Sequence, residues 1–404
     1  MFYPYASYPI LDMGSIIEDE LHSSSVIKDI KTLDFDYVPD DLPHREEQLR
    51  LLAQMFKPLI VGTPQNVIIK GPVGSGKTVL SKKFCSDFTL IARRQGRIID
   101  YVHINCRRRS SDAMVLLGVL THFDPRFPDR GFSVEEMLQV LHRNLQRRGS
   151  QLLLVLDEAD ALIKKQGSNL IYNLTRFTDE SIKNSNPVSI IMISQKDLLP
   201  ELEESVLSTF KRSNTITLEK YSYNDLVDII KQRVDLAFHK NVVSTESIDL
   251  IADIAAVWGD ARFAIELLWK AGLYADREHA SVVTPEHVRA AKAETYSVVT
   301  ETKLRNLGKH QMLTLLAIAK RLERDETAYT ITGEVEKTYA VTCEEYNEKP
   351  RGHTMFWSYL KEIEMNGFIN LKASGKGQIG TTQLISLPDI PAGVLRKKLE
   401  ELLS

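Results

Sequence analysis

The sequence predicts an α/β domain built around a phosphate-binding loop, then an all-helical segment, then a C-terminal winged helix-turn-helix. Three observations predict this. Short apolar runs alternate with helical stretches between about residues 44 and 215, the pattern of a parallel sheet covered on both faces. The stretch Gly71-Pro72-Val73-Gly74-Ser75-Gly76-Lys77-Thr78 stands between the first apolar run and a helix, where a phosphate-cradling loop belongs. The last hundred residues carry three helical stripes and then two strands around a glycine-rich loop.

The elements follow in chain order. Residues 1–43 read as an arm that packs on something, with several aromatics and no clear period. From about His44, the residues Leu49, Leu52, Ala53 and Phe56 fall at helical spacing, which predicts a helix. Asn66–Lys70, Ile98–Ile104, Gln151–Leu156 and Val188–Ile193 predict four strands, with a helix starting at Lys77. After Tyr221 only helices are expected. Ser222 with Asp225 resembles a capping box and opens a helix carrying Leu226, Ile229, Ile230 and Val234. Helices at about 244–257 and 260–275 follow, and Thr284-Pro285 starts another that runs to about 297. Residues 301–308 read as a hinge. Beyond it, Leu316, Ala319 and Leu322 stripe one helix, and Val335, Tyr339, Cys343 and Tyr346 the next. Phe356, Tyr359, Leu360 and Ile363 stripe the third, and the segments 368–371 and 383–387 flank a loop with Gly375, Gly377 and Gly380. The division expected from sequence is therefore 1–43, 44–220, 221–300 and 301–404.

Composition narrows the functional classes. A chain of 404 residues suggests two or three domains of roughly 100–200 residues each. Lys and Arg total 51 against 54 Asp and Glu, a net charge of −3. That balance excludes a broadly basic nucleic-acid coat but leaves room for local patches. Cys85, Cys106 and Cys343 are odd in number and far apart, so a disulfide framework or zinc site is not expected and a reducing cytosol fits. No apolar run reaches the ~18 residues of a membrane helix, and Met1–Ile17 lacks the basic start of a secretory signal. The expectation is a soluble, cytoplasmic protein with no membrane partner.

The glycines of the loop let successive backbone N–H groups face one cluster of anionic oxygens. Val73, Gly74, Ser75 and Gly76 would cradle a nucleotide phosphate, Lys77 would reach the β/γ-phosphates and Thr78 would hold Mg²⁺. Leu152–Leu156 followed by Asp157-Glu158-Ala159-Asp160 is the acidic strand end that pairs with such a loop. Asp157 would bind the metal and Glu158 would polarise the attacking water. ATP/ADP with Mg²⁺ is the implied ligand. Glu158 favours hydrolysis over phosphoryl transfer to a second substrate.

These motifs together resemble an AAA+ replication initiator, and more closely the archaeal origin-recognition/cell-division-control family. Tyr37-Val38-Pro39-Asp40-Asp41-Leu42-Pro43-His44-Arg45-Glu46 looks like the family's motif before the first helix, and Gly259-Asp260-Ala261-Arg262 like its lid sensor. Thr332-Gly333-Glu334-Val335 with His353-Thr354 resembles its winged helix. The resemblance spans about residues 30–390 and implies an α/β P-loop AAA+ ATPase core, an all-helical lid and a winged helix. It also implies that Arg262 reaches the γ-phosphate, that Tyr221 and Arg233 line the adenine side, and that a polar first sensor follows the strand ending at Ile193. Gln195 is the choice for that sensor, with Ser194 close behind. Where the family carries an arginine able to act on a neighbour's nucleotide, this chain has Ser205, with Lys211 and Arg212 out of register. Slow hydrolysis, with nucleotide as a switch, is expected.

A winged helix inserts its third helix into the DNA major groove while the wing touches phosphate or the minor groove. The side opposite the apolar stripe shows His353, Thr354, Trp357, Ser358 and Lys361, preceded by Arg351, and the wing offers Lys376 and Gln378. Residues 301–404 hold 15 Lys/Arg and 14 Asp/Glu, so attraction would be local. Arg107, Arg108 and Arg109, with Arg130 beyond a helical run at Ala113–Leu120, form a second basic cluster. It resembles the initiator-specific insertion of the family, which implies a second DNA contact. The implied partners are double-stranded origin DNA, the replicative helicase and sibling initiator subunits, in a nucleoid-associated setting. A signalling ATPase whose winged helix contacts protein is the alternative; a small-molecule kinase is disfavoured by Glu158.

Overall fold

The computed structural model describes residues 25–176, 187–208, 210, 214–295, 304–305, 307–373, 383–388 and 390–404. The wing candidates Lys376 and Gln378, and Lys211 and Arg212, lie outside the described residues. The chain divides into two compact units, one formed by 34–229 with 255–264, the other by 1–33, 230–254 and 265–404.

The first unit is an α/β layer structure. Its strands are β1 (Asn66–Lys70), β2 (Ile99–Asn105), β3 (Gln151–Asp157), β4 (Val188–Ser194) and β5 (Thr215–Thr217), all parallel in the order β2-β3-β4-β1-β5. β4 is buried along its whole length and β3 at all but its first residue, as central strands of a sheet with two covered faces must be. Side chains alternate between the faces. Leu152, Leu154, Leu156, Ile190 and Met192 join Val102 and Ile104 in one core, while Leu153, Val155, Ile191 and Ile193 join Val67, Ile69, Phe84 and Phe88 in the other. Each such side chain contributes about 1.5–3 kcal/mol of burial. Because the strands are parallel, their C-terminal ends share one rim. Register sets Lys70 opposite Ser194 and Asn105 opposite Asp157 along it.

Between β2 and β3 lie the helices Asp112–Phe123 and Val134–Arg148. Ser111 caps the first, its hydroxyl accepting from Met114 N–H. Ser133 and Glu136 form a reciprocal capping box on the second (3.2 and 2.8 Å), and Gly149 ends it in a left-handed conformation. Their apolar sides, with Val115, Leu116, Val119, Met137 and Leu141, fill the same core as β3.

The second unit holds helices Thr245–Ala256, Ala261–Arg277 and Pro285–Thr295 in whole or in part, and the winged helix. Part of the expected arm packs here. Val26 N–H donates to Asp276 (2.7 Å), Lys28 N–H to the Ala237 carbonyl (2.7 Å), and Ile27 bridges Phe238. The winged helix comprises helices Lys309–Asp325, Thr332–Glu345 and His353–Met365, and a three-stranded antiparallel sheet of β6 (Thr330–Ile331), β8 (Gln383–Ser386) and β7 (Asn370–Ala373). A fourth helix, Ala392–Leu403, not anticipated from sequence, adds Ala392, Leu395 and Leu399 to its core. Arg289 is fully buried beneath it and donates to the carbonyls of Thr327 and Ala328 (3.0 Å each) and to Glu286 (2.6 Å). No described helix is long and apolar enough to cross a membrane.

Candidate nucleotide site and DNA-facing surface

β1 ends at Lys70 and the glycine-rich loop returns directly into the helix Lys77–Arg94. Gly76 caps that helix at φ +86°, and a Cβ there would stand 2.7 Å from the Tyr221 hydroxyl. Glycine is thus required twice over, by backbone angle and by space. The first turn of the helix carries no acidic residue, leaving its free N–H groups and dipole to favour an anion. Lys77 Nζ donates to the carbonyls of Gly71 (2.8 Å) and Pro72 (2.6 Å), folded back over the loop it would leave to meet phosphate. Burial lowers the Lys77 pKa below the ordinary lysine value; Asp157 opposes this and the positive charge of Arg262 adds to it. An arriving polyphosphate reverses that balance.

Across the rim, Thr78 donates its hydroxyl hydrogen to Asp157 (2.7 Å). Asp157 is 5% exposed. Burial pushes its carboxyl up, but hydrogen bonds from His103 and Thr78, together with the Glu158 N–H, hold it below the usual carboxylate value. Asp157 therefore stays ionised, and the Thr78 hydroxyl keeps an oxygen lone pair free. One carboxylate and one hydroxyl suit Mg²⁺, which takes few protein ligands and fills its octahedron with phosphate and water. Among the described residues no cluster of three or more His, Cys, Asp or Glu could hold a metal alone. The donor set fits a metal that arrives with nucleotide.

Glu158 begins the next helix from a left-handed backbone (φ +54°), and its carboxylate pairs with Arg107 Nε at 2.9 Å. The residue assigned to activate water and one assigned to DNA are thus partners. At the first-sensor position, the Ser194 hydroxyl is buried and 3.4 Å from Asp160 Oδ1, whereas Gln195 is exposed one residue past β4. Of the two, Ser194 is the better placed by geometry.

The sensor turn packs on the loop itself. Ala261 N–H donates to the Gly74 carbonyl (3.2 Å). Gly259 has φ +64°, and a Cβ there would lie 2.6 Å from Lys220 Cβ. Arg262 is exposed, its guanidinium 5.8 Å from the Phe35 ring centroid. Tyr221 is buried, which raises its pKa against the pull of Arg45. Arg45 was not singled out from sequence. It stacks over the Tyr221 ring at 3.9 Å and donates to the Ser75 carbonyl through Nε (3.2 Å) and Nη2 (3.0 Å), and to the Glu219 carbonyl. Its place in the Tyr37–Glu46 motif, directly before a helix, was the available signal. Arg233, in the other unit, is buried and donates to the Thr32 carbonyl at 2.7 Å.

On the winged helix, Arg351, His353, Thr354 and Lys361 are exposed, while Trp357 and Ser358 are half-buried. Trp357 packs against the core and donates its indole N–H to His353 (3.0 Å); His353 in turn meets Glu336 (2.9 Å), and Ser358 donates to Glu362 (2.9 Å). Arg351 Nε donates to His310 (3.1 Å). In the α/β unit, Arg108 and Arg130 are exposed, but Arg109 is half-buried and donates to the Met114 carbonyl (3.1 Å). The freest candidate contacts are therefore Thr354, Lys361, Arg108 and Arg130.

Family models match along the chain: an AAA domain over residues 61–202, a Cdc6 AAA+ ATPase-type lid domain over 227–293, and a CDC6 C-terminal winged helix domain over 302–396. The "ORC1-type DNA replication protein 2" of Saccharolobus solfataricus is 34% identical over 384 residues, covering 92% of this chain and 93% of its own. The "ORC1-type DNA replication protein" of Thermococcus kodakarensis is 33% identical over 386 residues, covering 94% and 92%. Among solved structures, Cdc6p from Pyrobaculum aerophilum superposes with a TM-score of 0.80 at 26% identity, covering 94% of this chain and 99% of that one. The Aeropyrum pernix ORC1 protein in complex with DNA gives 0.62 at 29% identity, covering 94% and 97%. With its phosphate loop, lid and winged helix all matched over nearly its whole length, this chain belongs to the archaeal ORC1/Cdc6-type family of AAA+ replication proteins.

Proposed function

We propose that this chain is an ATP-switched replication initiator, which binds double-stranded origin DNA and helps recruit the replicative helicase. The observation that carries the reading is the single rim on which Lys77, Thr78, Asp157, Glu158 and the Gly259–Arg262 turn converge. It is supported by the exposed Thr354 and Lys361 on a winged helix and by relatives named as replication proteins.

In this reading the N–H groups of Val73–Thr78 and the Lys77 ammonium bind the polyphosphate. Thr78 and Asp157 hold Mg²⁺, which supplies charge neutralisation at the phosphates. Glu158, released from Arg107, accepts the proton of the attacking water. Ser194 orients that water with Asp160, and Arg262 swings from Phe35 toward the γ-phosphate. Because Ser205 stands where an arginine would act in trans, turnover by the isolated protein is slow and nucleotide works as a switch. Tyr221 and Arg45 hold the base side of the loop, and Arg233 anchors the arm.

DNA is read by the third helix and by the insertion helices between β2 and β3, with 44–220, 221–300 and 301–404 acting as core, lid and reader. Footprinting on the host chromosome's intergenic DNA, with ATP and ADP in parallel, tests this. A discrete, nucleotide-sensitive footprint is expected. Absence of any protected site, alongside capture of a protein by the winged helix, would favour the signalling-ATPase alternative.

A further inference from the structure

His103 lies on β2, beside the rim, and none of the motifs uses it. Alternation along the strand puts Tyr101 and His103 on one face, toward the helix Lys77–Arg94. The His103 ring is mostly buried, with Nε2 3.2 Å from Asp157 Oδ2 and Nδ1 3.3 Å from the Tyr101 hydroxyl. The ionised Asp157 carboxylate can only accept, so the ring nitrogen facing it carries the hydrogen and Nδ1 is left to accept from the Tyr101 hydroxyl. The ring hydrogen thus sits on Nε2 and points at the carboxylate. Asp157 Oδ2 then receives His103 from one side and Thr78 from the other, while Oδ1 receives the Glu158 N–H (2.9 Å). The carboxylate is held by three donors in one rotation.

From this geometry we infer that His103, set by Tyr101, is a positioning residue that orients Asp157 for the nucleotide-bound divalent cation. A carboxylate free to rotate presents its lone pairs to the metal only part of the time; a donor behind it fixes the presentation. The role rests on the nucleotide-site reading above and adds to it a residue outside every motif. It differs from a packing role, which any ring of similar volume would fill.

The test uses the full chain and a fluorescent ATP analogue, its affinity measured in EDTA and across a Mg²⁺ titration, with thermal melts alongside. Mn²⁺ binding in the presence of ADP, followed by electron paramagnetic resonance, gives a second readout. His103→Ala is expected to leave affinity in EDTA unchanged and to raise the Mg²⁺ concentration needed for the metal-dependent gain by about 10-fold or more. His103→Gln, whose side-chain amide N–H can reach the same oxygen, should recover most of that loss, and Tyr101→Phe should show a smaller shift in the same direction. Where His103→Ala fails to fold, His103→Phe keeps the volume and carries the same expectation. A Mg²⁺ requirement identical to the parent's in the folded variant would overturn the inference. If the parent itself showed no metal-dependent gain, the nucleotide-site reading would fail instead.

Discussion

Glu158 and Arg107 stand 2.9 Å apart at the rim, so a Glu158 carboxylate that turns to accept a proton from water must first leave Arg107. Arg107→Ala should therefore raise basal ATP turnover and weaken DNA binding, which a phosphate-release assay and an anisotropy titration would register together. Unchanged turnover would mean that the pair does not restrain Glu158. Glu158→Gln should keep nucleotide affinity while lowering hydrolysis by about 10²–10⁴-fold, as loss of a general base does. At this scale the sequence was most informative where chemistry demands adjacency. The phosphate loop and the acidic strand end are contiguous runs, so Lys77, Thr78, Asp157 and Glu158 could be named directly. Arg45 and His103 could not, because their partners at Ser75, Tyr221 and Asp157 are remote in sequence and adjacent only through the sheet order. The two first-sensor candidates differ in placement, the end of β4 leaving Gln195 exposed and Ser194 buried, which residue type alone does not tell.

Helices and strands were legible where periodicity was strong and flanked by caps. The strands β1 to β4 lie within a residue of the apolar runs that predicted them. β5, three residues long, and β6, two, are too short to carry a period and exist because a neighbouring strand pairs with them. The helix Ala392–Leu403 carries its signal in Ala392, Leu395 and Leu399 at helical spacing. Arg289 shows how one residue fixes several elements. Its removal leaves Glu286 Oε1 and the carbonyls of Thr327 and Ala328 without that donor, so Arg289→Ala should cost about 3 kcal/mol, read as a lower midpoint in urea unfolding. An unchanged midpoint would show that water replaces the guanidinium at no cost. The helix Tyr223–Ala237 carries a pH dependence. Burial raises the Asp225 pKa, but hydrogen bonds from Ser222 and the charges of His44 and Arg45 outweigh it, and the net shift is downward. A depressed carboxylate contributes stability above its unfolded value and loses it as pH falls through the folded one. Asp225→Asn should therefore flatten part of the stability loss below about pH 4.

For the whole molecule, a net charge of −3 constrains how DNA can be held. With Arg107, Arg108, Arg130, Arg351 and Lys361 as the exposed basic candidates, DNA affinity should fall with salt at a slope no steeper than about −5 on logarithmic axes. A slope implying a dozen phosphates would mean a surface other than the one described. Fold class was readable at this scale because three independent signals agreed: loop, helical segment and winged helix. The pairing of lid helices with the winged helix in one compact unit was not readable, since it depends on buried contacts such as Arg289. The central claim is that the third helix of the winged domain reads DNA for an ATP-switched initiator. Its most direct test is equilibrium binding, with ATP, to a duplex recovered by footprinting and to a scrambled duplex of equal length. The parent should prefer the recovered duplex, and Thr354→Ala combined with Lys361→Ala should lose that preference and about tenfold in affinity. Equal affinity and equal preference in the double variant at moderate salt would contradict the account.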